Sequence, residues 1–147
     1  MGLNIRTVWL LATAAVLTAC SGIPLKEREQ AERDRYEAYA GQPVDHFTWL
    51  GHYDGWDPIG PHELVVWTDI NSAYLVKVAS PCEDLRFANR IGLTSTANTV
   101  YSKFDFVTTR GWRCPIQEIR PIDYKRLRQD LRNETKQAKA KESSSGS

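Results

Sequence analysis

Ten residues near the start of the chain, Val8 to Leu17, are apolar except for Thr13, and they end three residues before a cysteine, Cys20. Met1 to Arg6, ahead of them, holds one positive charge and no negative one. A bilayer core takes about 20 apolar residues to cross, so this run is too short to span. A basic start, a short apolar run and small residues together form the pattern of an export signal. Residues 1–19 are therefore expected to contribute nothing to the folded domain. The 128 residues that remain suffice for one modest domain.

The residues Leu17-Thr18-Ala19-Cys20 resemble the lipobox of bacterial lipoproteins, in which the cysteine thiol is lipidated and the signal is cut before it. Cys20 is the expected lipid-attachment residue. One acyl chain holds a protein only marginally and two or more hold it stably, so the mature chain is expected to stay on a membrane. Ser21 stands where an inner-membrane retention signal has Asp. The sorting rule then implies the periplasmic face of the outer membrane.

Cys20 aside, the chain has two cysteines, Cys82 and Cys114. In an oxidising compartment an even pair reads as a disulfide, which would stabilise the fold by about 3–4 kcal/mol. Nothing near either resembles Cys-x-x-Cys, and no histidine is close in sequence, so the pair reads as structural. Five Trp and 10% aromatic residues argue for a real core. Charge divides unevenly, with eleven Lys/Arg against fifteen Asp/Glu in residues 20–124 and seven against three in residues 125–147.

Residues 25–40 read as a helix with the charge pairs Glu29/Arg33 and Arg28/Glu32 at four-residue spacing. Gly41 suits the helix end, and Pro43 prevents continuation. Its apolar positions are few, mainly Ala31, Tyr36 and Tyr39. It is expected to be a mostly solvated stalk about 24 Å long, packed only at its C-terminal end. From Val44 to Gly51 the pattern alternates, with Phe47 and Trp49 on one face and His46 and Thr48 on the other. Asp54-Gly55-Trp56-Asp57-Pro58 and Gly60-Pro61 read as a loop. Residues 63–68 and 73–78 form the clearest hairpin, joined through Asp69-Ile70-Asn71-Ser72. Residues 99–108 and 113–119 predict two more strands with a turn at Arg110-Gly111. Residues 80–95 are ambiguous. Ser80-Pro81-Cys82-Glu83 has the form of a helix-capping box, while Leu85, Phe87, Ile91 and Leu93 fit a two-residue period, and the balance favours a strand. Asp123 reads as the N-cap of a terminal helix, with Ile122 and Leu127 placed as a hydrophobic staple and Tyr124, Leu127 and Leu131 as the docking stripe. The helix is expected to end near residue 140, with residues 141–147 a disordered tail.

His46, His52 and His62 fall in one stretch with Asp54, Asp57 and Glu63. A zinc site takes about four converging ligands in fixed geometry, and these spacings match no ligand pattern. Asp54 and Asp57 as an acid–base pair is weaker still, since turns recruit Asp for local hydrogen bonds. Thr94-Ser95-Thr96 lies in no strand–turn–helix elbow, and there is neither a Gly-x-Ser-x-Gly nor a phosphate-cradling glycine loop. Trp56, set in a turn beside Asp54, stands either exposed for a ligand such as a glycan or folded back on the core, and folding back is commoner. Trp49 and Trp67 read as core. The basic C-terminal segment can attract an anionic surface, although a solvated helix end is the plainer reading.

Several pieces in order resemble an uncharacterised family of small gamma-proteobacterial lipoproteins, recorded as a domain of unknown function. They are Tyr39-Ala40-Gly41 with Pro43-Val44, Asp54-Gly55-Trp56, Val66-Trp67-Thr68, Ala73-Tyr74-Leu75, and Cys82 with Asp84-Leu85. Ile91-Gly92-Leu93-Thr94-Ser95, Phe104-Asp105, Cys114 through Ile116, Ile119, and Arg120 to Asp123 complete the series. The resemblance spans about residues 36–124. It implies lipidation and a Cys82–Cys114 pair, both reached above independently, and it transfers no functional residue.

The expectation is a mainly β domain over residues 43–122, a small antiparallel barrel or bent sheet with α+β as the alternative. A lipidated segment and stalk helix (20–42) precede it, and a C-terminal helix (123–140) follows. The functional expectation is a non-enzymatic envelope lipoprotein without cofactor or metal. It would be held to the membrane by its lipid and would bind an envelope protein or glycan, with Asp54 and Trp56 as the candidate surface. Nucleic acid is not expected as a partner. The alternative is a metal-dependent periplasmic hydrolase using His46, His52 and Asp54.

Overall fold

The two apolar runs on either side of Asp69-Ile70-Asn71-Ser72 form the centre of the sheet. In the computed structural model, which describes Gly22, residues 24–48, Leu50 and residues 52–145, these runs are β3 (Glu63–Asp69) and β4 (Ser72–Val78). They pair antiparallel from Glu63↔Lys77 to Asp69↔Ser72, with an irregularity between Trp67 and Asp69. The Asp69 carboxylate accepts the Asn71 N–H at 2.7 Å and fixes the turn. The other elements are α1 (Leu25–Glu37), β1 (His46–Thr48), β2 (Gly55–Pro58), β5 (Gly92–Leu93), β6 (Thr99–Tyr101), β7 (Phe106–Thr109), β8 (Trp112–Ile122) and α2 (Tyr124–Ser145). A single 3-10 turn covers Leu85–Phe87. The expected Cys20 anchor and Trp49 lie outside the described residues.

A six-stranded antiparallel sheet runs in the order β2-β3-β4-β8-β7-β5 and curls into a half-barrel, while β1 and β6 form a separate two-stranded sheet. The mainly β architecture with a helix near each end is thus as expected. Much of the curl comes through β8. Its C-terminal half pairs with β4 and its N-terminal half with β7. Where Lys77 faces Glu118 but Val78 faces Ile116, β8 carries one extra residue, and such a bulge bends and twists a strand.

Both faces of the central strands are covered, so their side chains alternate between two cores. Leu64, Val66, Val76 and Val78 face one side with Phe47 of β1, Val100 of β6, Ile116 and the Cys82–Cys114 disulfide. Val65, Ala73, Leu75 and Ile122 face the other, under Leu127 of α2, Tyr36 of α1, and Tyr39 and Ala40 just beyond α1. A strand buried on both faces reads as a continuous apolar run, as Leu64-Val65-Val66 does.

Five local expectations are corrected. Residues 55–58 are not a loop but an edge strand, in register Gly55↔Trp67 to Pro58↔Leu64; an edge is where a strand tolerates proline. The strand expected over 44–51 shrinks to His46–Thr48, with Phe47 buried and its neighbours exposed. The strand expected over 99–108 is broken by a turn at residues 102–104, where Lys103 has φ 69°. Its two parts, β6 and β7, belong to different sheets. The favoured strand over 80–95 exists only as Gly92–Leu93, preceded by the 3-10 turn. The C-terminal helix continues to Ser145, into the segment expected to be a disordered tail; the run of Lys, Gln, Ala and Glu over residues 136–142 consists of good helix formers and carries the helix past residue 140. The expected turn at Arg110-Gly111 does form, with Gly111 at φ 84°.

The helix pair departs most from expectation. α1 docks along its length through a polar stripe at helical spacing, Glu29, Glu32, Arg33 and Tyr36, all partly buried. Arg33 pairs with Glu63 at 2.7 Å, and Glu29 receives the guanidinium of Arg86 from the 3-10 turn. Tyr36 meets the Trp67 ring edge-on, and Tyr39 donates to Asp130 of α2 at 2.7 Å. The docking is therefore wider than the C-terminal contact expected of a stalk. Beyond Leu131, by contrast, α2 is exposed as far as Ser144. At 1.5 Å per residue this is about 20 Å of helix with no packing on the domain.

Candidate functional site

A deep depression in the surface opens where β5 and β7 part. Gly92 faces Thr108 and Leu93 faces Val107, but the pairing goes no further. Between the diverging segments lies a groove of about 860 Å³, whose side-chain lining includes Asp84, Phe87, Asn89, Arg90, Thr109 and Arg110. The Phe87 ring is 75% exposed. The Thr109 hydroxyl is out of solvent and has no hydrogen-bond partner among the described residues. A side-chain carbon at Gly92 would stand 2.6 Å from the Thr108 hydroxyl, so glycine lets the two strands meet at the head of the groove.

One wall, residues 82–92, is pinned at four points. Cys82 is tied to Cys114, both buried, with Cα atoms 5.6 Å apart. Leu85 is fully buried, Arg86 pairs with Glu29 of α1, and the Ile91 carbonyl accepts the Tyr53 hydroxyl at 3.0 Å. The opposite side of the same region is braced by Asp105, which is 7% exposed. Its carboxylate accepts the Thr94 hydroxyl at 2.6 Å and the Tyr101 N–H at 2.8 Å, while the Thr94 oxygen accepts the Phe106 N–H at 2.8 Å. A groove held this way is preformed.

The residues singled out from sequence are dispersed. Trp56 is half-buried and packs on the core containing Phe47, Leu64 and Val66, as a folded-back aromatic. Asp54 is exposed and lines a different, shallower depression with Trp67, Tyr124 and Arg128. His46 is exposed on β1, its ring 5.3 Å from that of Tyr101; His52 is exposed, and His62 is half-buried ahead of β3. Among the described residues no three of His, Cys, Asp and Glu lie close enough to share a metal ion. The convergence of His46, His52 and Asp54 that a metal-dependent hydrolase requires is not formed.

A second set of polar groups lies between α1 and β2. Burial holds the Asp57 carboxyl above its ordinary range. Burial first, and the Asp57 charge next, raises Glu32. Tyr36 is pushed up to about 12, by burial and then by Glu32 and Asp57. These are the costs of docking a charged helix.

The groove residues escaped the sequence reading. Phe87 has the two-residue spacing from Leu85 that predicts burial on a strand, yet the 3-10 turn sends the one inward and the other out. Arg90 and Arg110 are far apart in sequence, and no local pattern joins them.

The fold defines a small curled-sheet domain with both helices against one face of the sheet, and a preformed polar groove. A profile described as a family of unknown function, DUF6491, matches residues 3–139, and the chain belongs to that family. The match is wider than the resemblance over residues 36–124, taking in the N-terminal apolar run and most of α2. No curated protein and no solved structure matches the chain at a significant level.

Proposed function

We propose that this chain is a lipid-anchored bacterial envelope protein, of gamma-proteobacterial type, that binds or scaffolds another envelope component and does not catalyse a reaction. The observation that carries the contact role is the distal half of α2. Lys125, Arg128, Arg132, Lys136 and Lys139 follow one another at steps of three or four residues and so share one face. Asp130 and Glu134 fall outside that stripe, and Glu142 stands at its far end, three residues after Lys139. Arg128 is engaged with the Ile70 carbonyl at 3.1 Å, but Arg132, Lys136 and Lys139 are exposed and project beyond the domain. A helix that packs on nothing of its own and presents regularly spaced cations suits contact with an anionic partner. The short apolar run and Cys20 support the anchor, and the disulfide fits an oxidising compartment. Ser21 favours the outer membrane.

Two experiments test this reading. Metabolic labelling with a fatty acid is expected to mark the wild-type chain and not Cys20→Ala, which should leave the membrane fraction. A photo-crosslinker at position 136 is expected to give a discrete adduct in intact cells, and one at position 134, on the opposite face, none. Equal yields from both positions would remove the case for the basic stripe as the contact face.

A further inference from the structure

The pairing of β5 with β7 stops after two residue pairs, and its register has a consequence for what lies beyond. Carried one step further it would set Ile91 opposite Thr109, and two steps further Arg90 opposite Arg110. Like charges directly opposite one another repel. Both arginines line the opening and are exposed, and among the described residues neither has an ion-pair or hydrogen-bond partner. Asp84, the N-cap of the 3-10 turn, and Phe87, its last residue, also line the groove and stand three residues apart, a spacing that brings side chains into line on such a turn. The lining of the groove thus includes two guanidinium groups, a carboxylate and an exposed aromatic ring.

We propose that this groove binds a phosphoethanolamine-type ligand. Arg90 and Arg110 hold the phosphoryl oxygens, and Asp84 with the Phe87 ring holds the ammonium. Guanidinium forks match phosphoryl oxygens in geometry and stay charged at all relevant pH. An ammonium is attracted both to a carboxylate and to an aromatic face. The Asn89 amide adds hydrogen-bonding groups along the groove. A volume of about 860 Å³ falls in the size range of small-molecule sites. The wall carrying Asp84, Phe87 and Arg90 is fixed by the disulfide, Leu85 and the Arg86–Glu29 pair, so little ordering accompanies binding. This site is separate from the basic stripe of α2, and neither depends on the other.

The test is a 15N NMR titration of the full chain in a non-ionic detergent. The probes are O-phosphoethanolamine, glycerophosphoethanolamine, inorganic phosphate and ethanolamine. Saturable shifts confined to residues 84–92 and 108–110 are expected with the two phosphoethanolamine compounds, and weaker ones with phosphate. Tighter binding of the diester would name a lipid headgroup as the source, and tighter binding of the monoester a free metabolite. Arg90→Gln and Arg110→Gln, both at exposed positions, are each expected to weaken binding about tenfold. Asp84→Asn should erase the preference over inorganic phosphate. The proposal is overturned if no probe shifts these residues at about 10 mM, or if the shifts survive both arginine substitutions.

Discussion

The Nε of Arg33 in α1 lies 2.7 Å from Oε2 of Glu63 at the start of β3, and its guanidinium passes over Gly60, where a side-chain carbon would collide with it. This contact does for α1 what an apolar stripe does for most surface helices. The pair is partly screened, with side chains 28% and 16% exposed, so it is worth less than a fully buried one. Arg33→Met is expected to cost about 1–2 kcal/mol in urea unfolding, because Glu63 is left half-buried without its partner. Gly60→Ala should cost a similar amount by displacing the guanidinium. A neutral result for both would mean that the helix is held elsewhere.

Docking through charges also predicts a pH dependence. Glu32 and Asp57 both have folded-state pKa values raised above their ordinary ones. For a raised carboxyl, the stabilisation is full below the unfolded-state value and is lost as pH rises through the folded-state value. At neutral pH both are therefore ionised at a cost. Asp57→Asn is expected to raise the thermal midpoint at pH 7 and to change it little at pH 3. Equal shifts at the two pH values would show that the carboxylate charge is not the cause. At the alkaline end, Tyr36→Phe should remove a loss of stability that sets in as pH rises from 10 towards about 12.

Asp105 holds the turn between β6 and β7, accepting from Thr94 and from the Tyr101 backbone. Asp105→Asn keeps the size but supplies one acceptor oxygen where two are used. The expected cost is about 1.5–3 kcal/mol, typical of a lost hydrogen bond to a buried charge. Thr94→Val should cost a comparable amount, because it also strands the Phe106 N–H. In a double-mutant cycle the two losses are expected to be strongly non-additive; simple addition would show that they act separately.

α2 divides into a half that stabilises and a half that does not. Leu127, 2% exposed, sits in the core with Ile59, Val65 and Leu75, and Leu127→Ala is expected to cost about 2–4 kcal/mol. Ending the chain after Asn133 removes helix that is exposed as far as Ser144. It should leave unfolding unchanged within about 0.5 kcal/mol while lowering the helical circular-dichroism signal.

What was legible in the sequence was local. The β3–β4 hairpin announced itself through its apolar runs and turn residues. Asp123 receives the Arg126 N–H at 3.1 Å, and Ile122 and Leu127 meet in one core, as the cap and staple pattern foretold. The paired Cys82 and Cys114 were legible by counting. What was not legible came from tertiary context. α1 hid its docking face because Glu29, Glu32 and Arg33 look like solvent residues. β2 hid because Gly55 and Pro58 are turn formers that an edge strand also accepts. The turn at Lys103 has positive φ without a glycine to mark it. The groove exists because two strands diverge, and divergence leaves no trace in either strand's own residues.

The two outer strands of the six-stranded sheet set a limit on how any partner can be met. One edge is β2, four residues ending in Pro58, which has no N–H to offer; the other is β5, two residues long. Neither gives a neighbouring polypeptide enough free backbone to zip onto. Another molecule approaching this sheet must therefore be recognised by side chains, one chemical group at a time, and the protein is protected from growing end to end with copies of itself along those edges.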